Sequence, residues 1–400
     1  MPSTSEEAAQ LLTAGAVRER CHIVLAAAER GVTTHFRVVP ERLSEAARRV
    51  VDITRRRYPD LAVPYHSRWR HFSAGGVDRT ALVAAGASRA EAARARIDVA
   101  FVSVLLDAGA GAGWRFHETE TGRPWSRSEG LAVASLRAMQ AGLFSADPAD
   151  PWRADAEALS RLSAERLAQA IQHSGANEVL GIEARTTLLR RLGEVCADRS
   201  GLFGKPARPG NLLNYWAALG EEISAPEMLH TLLQALGSIW PGGLSLAGVP
   251  LGDCGRHPAV AGNGLVPFHK LSQWLAYSLV EPLEAAGLRV ADLDGLTGLA
   301  EYRNGGLFID CGVIEPRDPD LLGRPLDPQS EPVVEWRALT VALLDRLAAS
   351  VRERLGKSPQ EFPLTCVLEG GSWAAGREIA LERRPDGSAP ITIISDGTLF

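Results

Sequence analysis

The sequence lacks several features that would assign it to a common functional class. Its five cysteines are scattered and form no Cys-x-x-Cys pair, so neither a disulfide framework nor a structural zinc site is indicated. It has no Walker lysine motif and no run of about 20 apolar residues that could span a bilayer. A formal charge of -5 and a pI near 6.0 argue against a dominant nucleic-acid surface.

The N-terminus carries acidic residues where a secretion signal would carry basic ones. Reduced thiols and the missing signal together predict a cytoplasmic protein. The charge, the lack of a long apolar run and the lack of ligand motifs predict that it binds neither nucleic acid nor membrane and uses no metal or other cofactor. Cys254 and His257 have a ligand-like spacing in a glycine-rich and proline-rich stretch, but no second pair accompanies them, which favours a plain loop. The sequence leaves the oligomeric state open.

Helical periodicity dominates what is present. A chain of 400 residues with 46% hydrophobic residues can build a sizeable core. Apolar residues recur at helical spacing over residues 5–30, 43–57, 90–108, 129–140, 152–173, 176–195, 224–238 and 334–355. From Thr365 the segments CVLEGG, REIALERR and ITIIS alternate or run apolar between glycines, which predicts strands. We expect a mainly α, multi-helical fold, with a helical domain over residues 1–360 and a small β-meander over 361–400 packed on it.

The stretch 265–314 is where we expect the active site. A helix is predicted after Pro267, and a loop with several ionisable groups follows it. The polar residues of this helix and loop are Lys270, Gln273 and Tyr277, then Glu301, Tyr302 and Arg303. Asn304-Gly305-Gly306 then predicts a turn. Periodicity alone is explained equally well by an ordinary core helix followed by a glycine turn.

Two polar loops, residues 63–79 and 114–129, precede this stretch. The first carries His66, Arg68, Arg70 and His71 among aromatic residues. These side chains can bind a polar or anionic ligand while the rings stack on it, although core rings with solvent-directed arginines are an alternative. The second loop carries Glu129, which can instead interact with a helix N-terminus capped by Ser128.

Motifs along the chain resemble the uracil catabolism protein family. They are HSRWRHF at 66–72, LLDAGAG at 105–111, RSEGLAVAS at 127–135, VPFHKLSQWL at 266–275, LTGLAEYRNGGLFIDCGVI at 296–314, LEGGSWAAGREIA at 368–380 and SDGTLF at 395–400. The resemblance covers nearly the whole chain. That family belongs to a fungal and bacterial route in which the pyrimidine ring is opened and a ribosylurea appears. The resemblance implies that the substrate is a small nucleoside or nucleotide.

A more distant resemblance, to the N-glycosidases of queuosine salvage, concerns the stretch 265–314 alone. Those enzymes carry a helix reading roughly F-Y-K-R-A-Q and then a segment L-T-x-F-A-D-Y-R. Here residues 268–273 read FHKLSQ and residues 296–303 read LTGLAEYR. The similarity implies a mainly helical core resembling DNA glycosylases and a catalytic carboxylate at the aspartate of D-Y-R. Glu301, one methylene longer, occupies that position.

Cleavage of an N-glycosidic bond passes through an oxocarbenium-like state, which needs a carboxylate near the anomeric carbon and an activated water. The resemblance implies that Glu301 stabilises the sugar cation and either aligns water or attacks covalently. Lys270, on the polar stripe of the preceding helix, is a candidate for keeping Glu301 ionised or for contacting a sugar hydroxyl or phosphate, and a structural ion pair is its alternative role. Asp253 and Asp310 are candidates for binding sugar hydroxyls or protonating the leaving group. His66, Arg68 and Arg70 are candidates for recognising urea or a 5′-phosphate. The full set of substrate-binding candidates is His66, Arg68, Arg70, His71, Glu129, Asp253, Gln273, Tyr302, Arg303 and Asp310.

Two other functions stay open. One is a different enzyme of the same pathway, such as an amidohydrolase or a phosphoribosyl transferase. The scarcity of metal-ligand motifs and of an acidic phosphoribosyl loop counts against it. The other is a non-catalytic scaffold whose polar loops bind a partner protein.

Overall fold

A computed structural model describes residues 4–240, 243–395 and 397–398, and it confirms the mainly α fold. The chain divides into two compact units. Unit 1 comprises Met1–His66, Gly243–Gln273 and Asp292–Ile394, and unit 2 comprises Ser67–Gly242, Trp274–Ala291 and Ser395–Phe400. The boundary predicted after residue 360 falls inside unit 1. A core resembling DNA glycosylases stays a prediction.

Unit 1 is built around one long helix. Glu331–Leu355 is buried along most of its length, because its apolar residues are not confined to one stripe, and it packs on Ala14–Glu29 and Leu43–Arg57. The helices of unit 1 are Thr4–Leu11, Ala14–Glu29, Leu43–Arg57, Tyr302–Asp310, Glu331–Leu355, Leu364–Val367 and Trp373–Arg383, with a π-helical segment Leu368–Ser372. Helix Lys270–Ala286, with Pro282 in its interior, begins in unit 1 and continues into unit 2.

Unit 2 consists of shorter helices, several of which begin at a side-chain cap. Ser88, Asp155, Ser163 and Ser224 each accept a hydrogen bond from a peptide N–H of the first turn, which satisfies a donor that the helix itself leaves unpaired. The helices are Arg68–Phe72, Arg89–Leu105, Arg127–Gln140, Ala156–Ser160, Ala164–Ala170, Ile182–Asp198, Ser200–Phe203, Leu212–Leu219 and Ala225–Leu236. The 3₁₀ turns of the chain are Pro40–Arg42, Ala74–Gly76, Thr80–Leu82, Pro209–Asn211, Gly237–Ile239, Leu293–Gly295 and Pro319–Leu322.

The strands are short and pair in twos. The antiparallel pairs are Phe36–Val38 with Ile314–Pro316, Phe116–Glu118 with Arg123–Trp125, Ser245–Leu246 with Val249–Pro250, and Cys254–Arg256 with Leu265–Pro267. The parallel pairs are Glu222–Ser224 with Arg289–Ala291 and Pro325–Leu326 with Thr392–Ile393. Each pair holds two loop segments together by a few backbone hydrogen bonds and, within the described part of the chain, does not form a larger sheet. All five cysteines are free thiols, and no helix of the described residues combines the length and apolar composition of a bilayer-spanning segment.

The C-terminal β-meander was a wrong prediction. Residues 364–383 are helical, and Thr392–Ile393 is the one strand in the described part of the tail. The glycines of this segment serve helix packing instead of separating strands. A Cβ atom on Gly376 would lie 2.1 Å from the carbonyl oxygen of Arg303, so helix Trp373–Arg383 can approach its neighbour's backbone only with glycine there.

The glycine turn predicted after Arg303 is also wrong, because Asn304, Gly305 and Gly306 lie inside helix Tyr302–Asp310. A Cβ atom on Gly305 would lie 2.7 Å from the indole ring of Trp336. The same indole donates a hydrogen bond from Nε1 to the Gly305 carbonyl oxygen at 3.1 Å. Gly305 therefore allows this helix to lie against the long helix of unit 1.

Candidate functional site

Glu301 caps the N-terminus of helix Tyr302–Asp310. Its extended backbone ends the preceding loop, and its two carboxylate oxygens accept the peptide N–H groups of Arg303 and Asn304 at 2.6 Å each. Burial raises the pKa of Glu301 above its usual value, against the opposing effects of these two N–H groups and of the charges on Lys270 and Arg303. A carboxylate that is fixed in direction and has a raised pKa is suited to take up and return a proton.

Lys270 starts the helix Lys270–Ala286 and is close enough to Glu301 for its charge to lower the pKa of that carboxyl group. Its side chain is buried, and its peptide N–H donates to the Asp253 carboxylate at 3.0 Å. The charge of Lys270 therefore acts on Glu301 in the folded unit, although the two residues are 31 positions apart in the sequence. This interaction joins the two motifs of the stretch 265–314, FHKLSQ with Lys270 and LTGLAEYR with Glu301.

Gln273 fastens the loop that leads to Glu301. Its Oε1 accepts the peptide N–H of Thr297 at 2.9 Å, and its Nε2 donates to the Thr297 hydroxyl at 2.7 Å and to the Phe268 carbonyl at 3.1 Å. The buried side chain thus uses both ends of its amide on protein groups. Its contacts are those of a residue that positions the loop.

Asp253 is held by Arg337, whose two terminal nitrogens contact the carboxylate at 2.8 and 2.7 Å. Burial alone would raise the pKa of Asp253, but Arg337 and the Lys270 N–H hold it below its usual value. An ionised carboxylate cannot protonate a leaving group, so Asp253 anchors the helix start. The neighbouring His269 adopts a left-handed φ of 49° and contacts the Leu11 carbonyl through Nε2 at 2.8 Å, which places local backbone strain beside Lys270.

The residues that follow Glu301 differ in their partners. Arg303 stacks over the Tyr302 ring at 5.0 Å and donates to the Gly387 carbonyl at 2.8 Å. Asn304 is fully buried, and its side-chain Nδ2 and Oδ1 have no hydrogen-bond partner in the described part of the chain. A buried amide without partners is costly, so it points to a polar ligand. Sequence reasoning missed Asn304 because it assigned the residue to a turn.

Asp310 lies at the opposite end of the same helix. Nine residues of helical rise put it about 13 Å from Glu301, and Arg384 binds its two oxygens at 2.8 and 2.6 Å. Asp310 also lines a surface groove of about 550 Å³, together with Cys311 and Arg383. The structure therefore does not bring Asp310 to Glu301.

His66 belongs to a second polar cluster of unit 1. Its Nδ1 lies 2.9 Å from the Glu369 carboxylate, which also contacts Arg57 at 3.1 Å and the Tyr58 hydroxyl at 3.2 Å. Glu369 lies in the π-helical segment Leu368–Ser372, a conformation common at functional positions. Sequence reasoning missed Glu369 because it interpreted LEGG as part of a strand.

The arginines of the first polar loop lie in unit 2 and are paired with carboxylates. Arg68 is fully buried and contacts Asp107 at 2.8 Å and the Ser103 hydroxyl at 2.7 Å. Burial lowers the pKa of its guanidinium, and the charges of Asp107 and Glu129 oppose that change. Arg70 contacts Glu281 at 2.5 Å. These contacts are those of structural ion pairs.

His71 and Glu129 complete the set in unit 2. The His71 ring packs edge-on against Trp274 with ring centres 5.8 Å apart. Glu129 lies in the first turn of helix Arg127–Gln140, as expected. Ser128, predicted to cap that helix, lies inside it and donates from its hydroxyl to Asp107 at 2.6 Å.

Known proteins match this chain over nearly its full length. The sequence profile of the family described as "Protein of unknown function (DUF1688)" matches residues 10–400. "Protein urg3" of Schizosaccharomyces pombe is 38% identical over 407 residues, which cover 99% of this chain and 100% of the relative. "Uracil catabolism protein 4" of Lachancea kluyveri is 36% identical over 411 residues, with 92% of this chain and 93% of the relative covered. The chain therefore belongs to the DUF1688 family, and the resemblance to uracil catabolism proteins is confirmed.

Proposed function

We propose that the protein is an N-glycosidase of uracil catabolism that hydrolyses a ribosylurea or a related pyrimidine-derived nucleoside or nucleotide. The relatives' names supply the pathway. The observation that carries the reaction type is Glu301, a carboxylate fixed by two peptide N–H groups beside the charge of Lys270. This arrangement is what an oxocarbenium-like transition state requires.

In the proposed reaction the bond between the anomeric carbon and the urea nitrogen breaks, and its electron pair leaves with the nitrogen. The Glu301 carboxylate stabilises the positive charge that develops on the sugar and accepts a proton from the attacking water. Burial makes this carboxylate more basic, while Lys270 keeps it from being protonated too readily. The departing nitrogen takes up the proton that Glu301 accepted from water, so one water is consumed and the products are urea and the free sugar.

Asn304 is the residue best suited to recognise the ureido group. Its amide offers one donor group and one acceptor, and a ureido group offers the complementary N–H and C=O. The peptide N–H of Asn304 already contacts Glu301, so its side chain lies in the same helical turn as the proposed catalytic group. The Asn304 side chain is fully buried, so a ligand can reach its amide only if neighbouring groups move.

The test is incubation of the purified protein with ribosylurea and with its 5′-phosphate, followed by mass spectrometry of the products. We expect urea and free sugar, or sugar phosphate, without any added cofactor. Glu301→Gln should abolish the release, whereas Glu227→Gln, which alters an exposed residue in the first turn of helix Ala225–Leu236, should match the wild type. Ammonia in place of urea would indicate an amidohydrolase, and no product from either compound would refute the proposal.

A further inference from the structure

Two glutamates and a histidine of unit 1 form a cluster that the proposed glycosidase reaction does not use. His35, Glu331 and Glu335 each place one potential ligand atom within 4.8 Å of the other two. Glu331 and Glu335 are four residues apart on the long helix, so their carboxylates project from one face. His35 directly precedes strand Phe36–Val38. Two of the three side chains therefore lie on one helix, and the third lies next to a strand, so their backbone positions are fixed.

The distance between His35 and Glu331 is compatible with two ligands of one bound ion. His35 Nε2 and Glu331 Oε1 are 3.4 Å apart, which is longer than a normal N–H···O bond. With bonds of about 2.0–2.1 Å to Zn²⁺, two ligands of a tetrahedral site lie about 3.4 Å apart. The pair already has this separation, and a carboxylate oxygen of Glu335 lies within 4.8 Å of both atoms.

Glu335 supplies an independent argument, because its buried charge lacks a cation. The side chain is fully buried, and its oxygens accept from the N–H of Phe36 at 2.8 Å, the N–H of His35 at 3.3 Å and His257 Nε2 at 3.3 Å. All three partners donate, so the contacts of this carboxyl group in the described residues use it only as an acceptor. His257 Nδ1 in turn accepts the N–H of Ala259 at 3.2 Å, so that ring is the neutral tautomer.

Among its contacts in the described residues, Glu335 thus has no cationic partner. A buried carboxylate is costly without a compensating positive charge. We propose that His35, Glu331 and Glu335 bind one divalent transition-metal ion, with Zn²⁺ as the best match to one imidazole and two carboxylates. The ion would join strand Phe36–Val38 to the start of the long helix. His257 contacts the Glu335 carboxylate through Nε2 and so helps to orient it, as outer partners of metal ligands do.

No local motif marks this site, because His35 and Glu331 are far apart in the chain and only Glu331 and Glu335 share a local spacing. The expectation that the protein uses no metal rested on the absence of short ligand motifs. A site assembled from an isolated histidine and one helix face has no such motif.

The experiment uses the full-length protein, stripped with a chelator and dialysed. Zn²⁺ binding is measured by calorimetry, Co²⁺ binding by its visible absorption, and thermal unfolding with and without Zn²⁺. We expect one ion per chain and an increase in Tm of several degrees, since an ion that binds only the folded state stabilises it. His35→Ala and Glu331→Gln should weaken Zn²⁺ binding more than about 100-fold, beyond the loss typical of an outer partner.

His230→Ala and Glu353→Gln, which remove a histidine and a glutamate elsewhere on the chain, are the matched controls and should bind like the wild type. Both test variants alter side chains that are partly exposed, so circular dichroism should show them folded. The Co²⁺ spectrum of the wild type tests the site without any variant. Absence of saturable binding, or equal Zn²⁺ affinity in the test and control variants, would overturn the proposal. Neither outcome bears on the release of urea.

Discussion

Two glutamates of this protein are surrounded by hydrogen-bond donors and yet differ in what they can do. Glu118 in unit 2 is buried, with Arg79 on its two oxygens at 2.7 and 2.6 Å and Arg137 at 3.0 and 2.6 Å. Burial alone would raise the pKa of Glu118, but these partners lower it to about 2. Glu301 in unit 1 is bound by peptide N–H groups instead, and its pKa is raised.

The difference shows how the charge of the partners decides the role of a buried carboxylate. Two guanidinium groups keep Glu118 ionised at every pH at which the protein would work, so it fixes geometry and exchanges no proton. Neutral donors orient Glu301 without cancelling the cost of burying its charge. Glu301 can therefore act as a base, while Glu118 is a structural group.

The largest effect is expected for Glu301→Gln. Turnover of the proposed substrate should fall by about 1000-fold or more, because the amide neither stabilises a cationic sugar nor accepts a proton. The free energy of unfolding should fall by only about 1 kcal/mol, the usual cost of a lost cap. Product formation and urea unfolding measure the two quantities. A folded variant that retains a tenth of the wild-type turnover would remove Glu301 from the mechanism.

Glu118→Gln should give the opposite result. Arg79 would be left buried without its counter-charge, and Arg137 would keep only Glu120, which should lower the free energy of unfolding by about 3–5 kcal/mol. Thr121→Val, which removes the single 2.8 Å hydroxyl contact to the same carboxylate, is a graded control that should cost about 1 kcal/mol. Turnover per folded molecule should stay at the wild-type value in both. A large loss of turnover in folded Glu118→Gln would contradict the assignment of Glu118 as a purely structural group.

The two groups should also affect the pH dependence of stability with opposite signs. The pKa of Glu118 is lower in the folded chain than its ordinary value of 4.5, so its stabilisation is present above pH 4.5 and is lost as the pH falls toward 2. The pKa of Glu301 is raised by folding, so its ionisation reduces stability as the pH rises from 4.5 through the folded value. Unfolding at a series of pH values should show a smaller acid loss in Glu118→Gln. An unchanged acid loss would contradict the assignment.

The smallest effect is a shift in the pH profile of Lys270→Met. The charge of Lys270 lowers the pKa of Glu301, so its removal should raise that pKa and move the acid limb of kcat/KM to higher pH. Arg303 and the two peptide N–H groups remain, so the shift should be modest. Lys357→Met, on a surface residue, is the matched control. An acid limb that stays in place would show that Lys270 does not act on the titrating group.

The sequence was sufficient to predict most of the long helices, because helical periodicity is a local property, and it placed Lys270 and Glu301 in one stretch. It misled at several glycines that were assigned to a turn or to positions between strands. Gly305 and Gly376 lie in helices at points where a neighbouring ring or backbone leaves no room for a Cβ atom. Gly371 is similar, since a Cβ there would lie 2.4 Å from the Val50 carbonyl oxygen. Such contacts depend on residues distant in the chain.

The candidate site shows the same limit. Asn304 and Glu369 were overlooked because each fell in a segment assigned the wrong secondary structure. The salt-bridge partners of Arg68, Asp253 and Asp310 could not be predicted either, because partners that are distant in the sequence leave no local pattern. His66, Arg68 and Arg70 therefore looked like free ligand-binding groups in the sequence, whereas the structure gives each of them a carboxylate partner.

The most direct test of the central claim is the fate of the ureido carbon. Ribosylurea labelled with ¹³C at that carbon is incubated with the wild type and followed by ¹³C NMR, in parallel with folded Glu301→Gln. We expect the wild type to convert the label to free urea and Glu301→Gln to leave the substrate unchanged. Label appearing as bicarbonate, or urea released at the wild-type rate by Glu301→Gln, would contradict it.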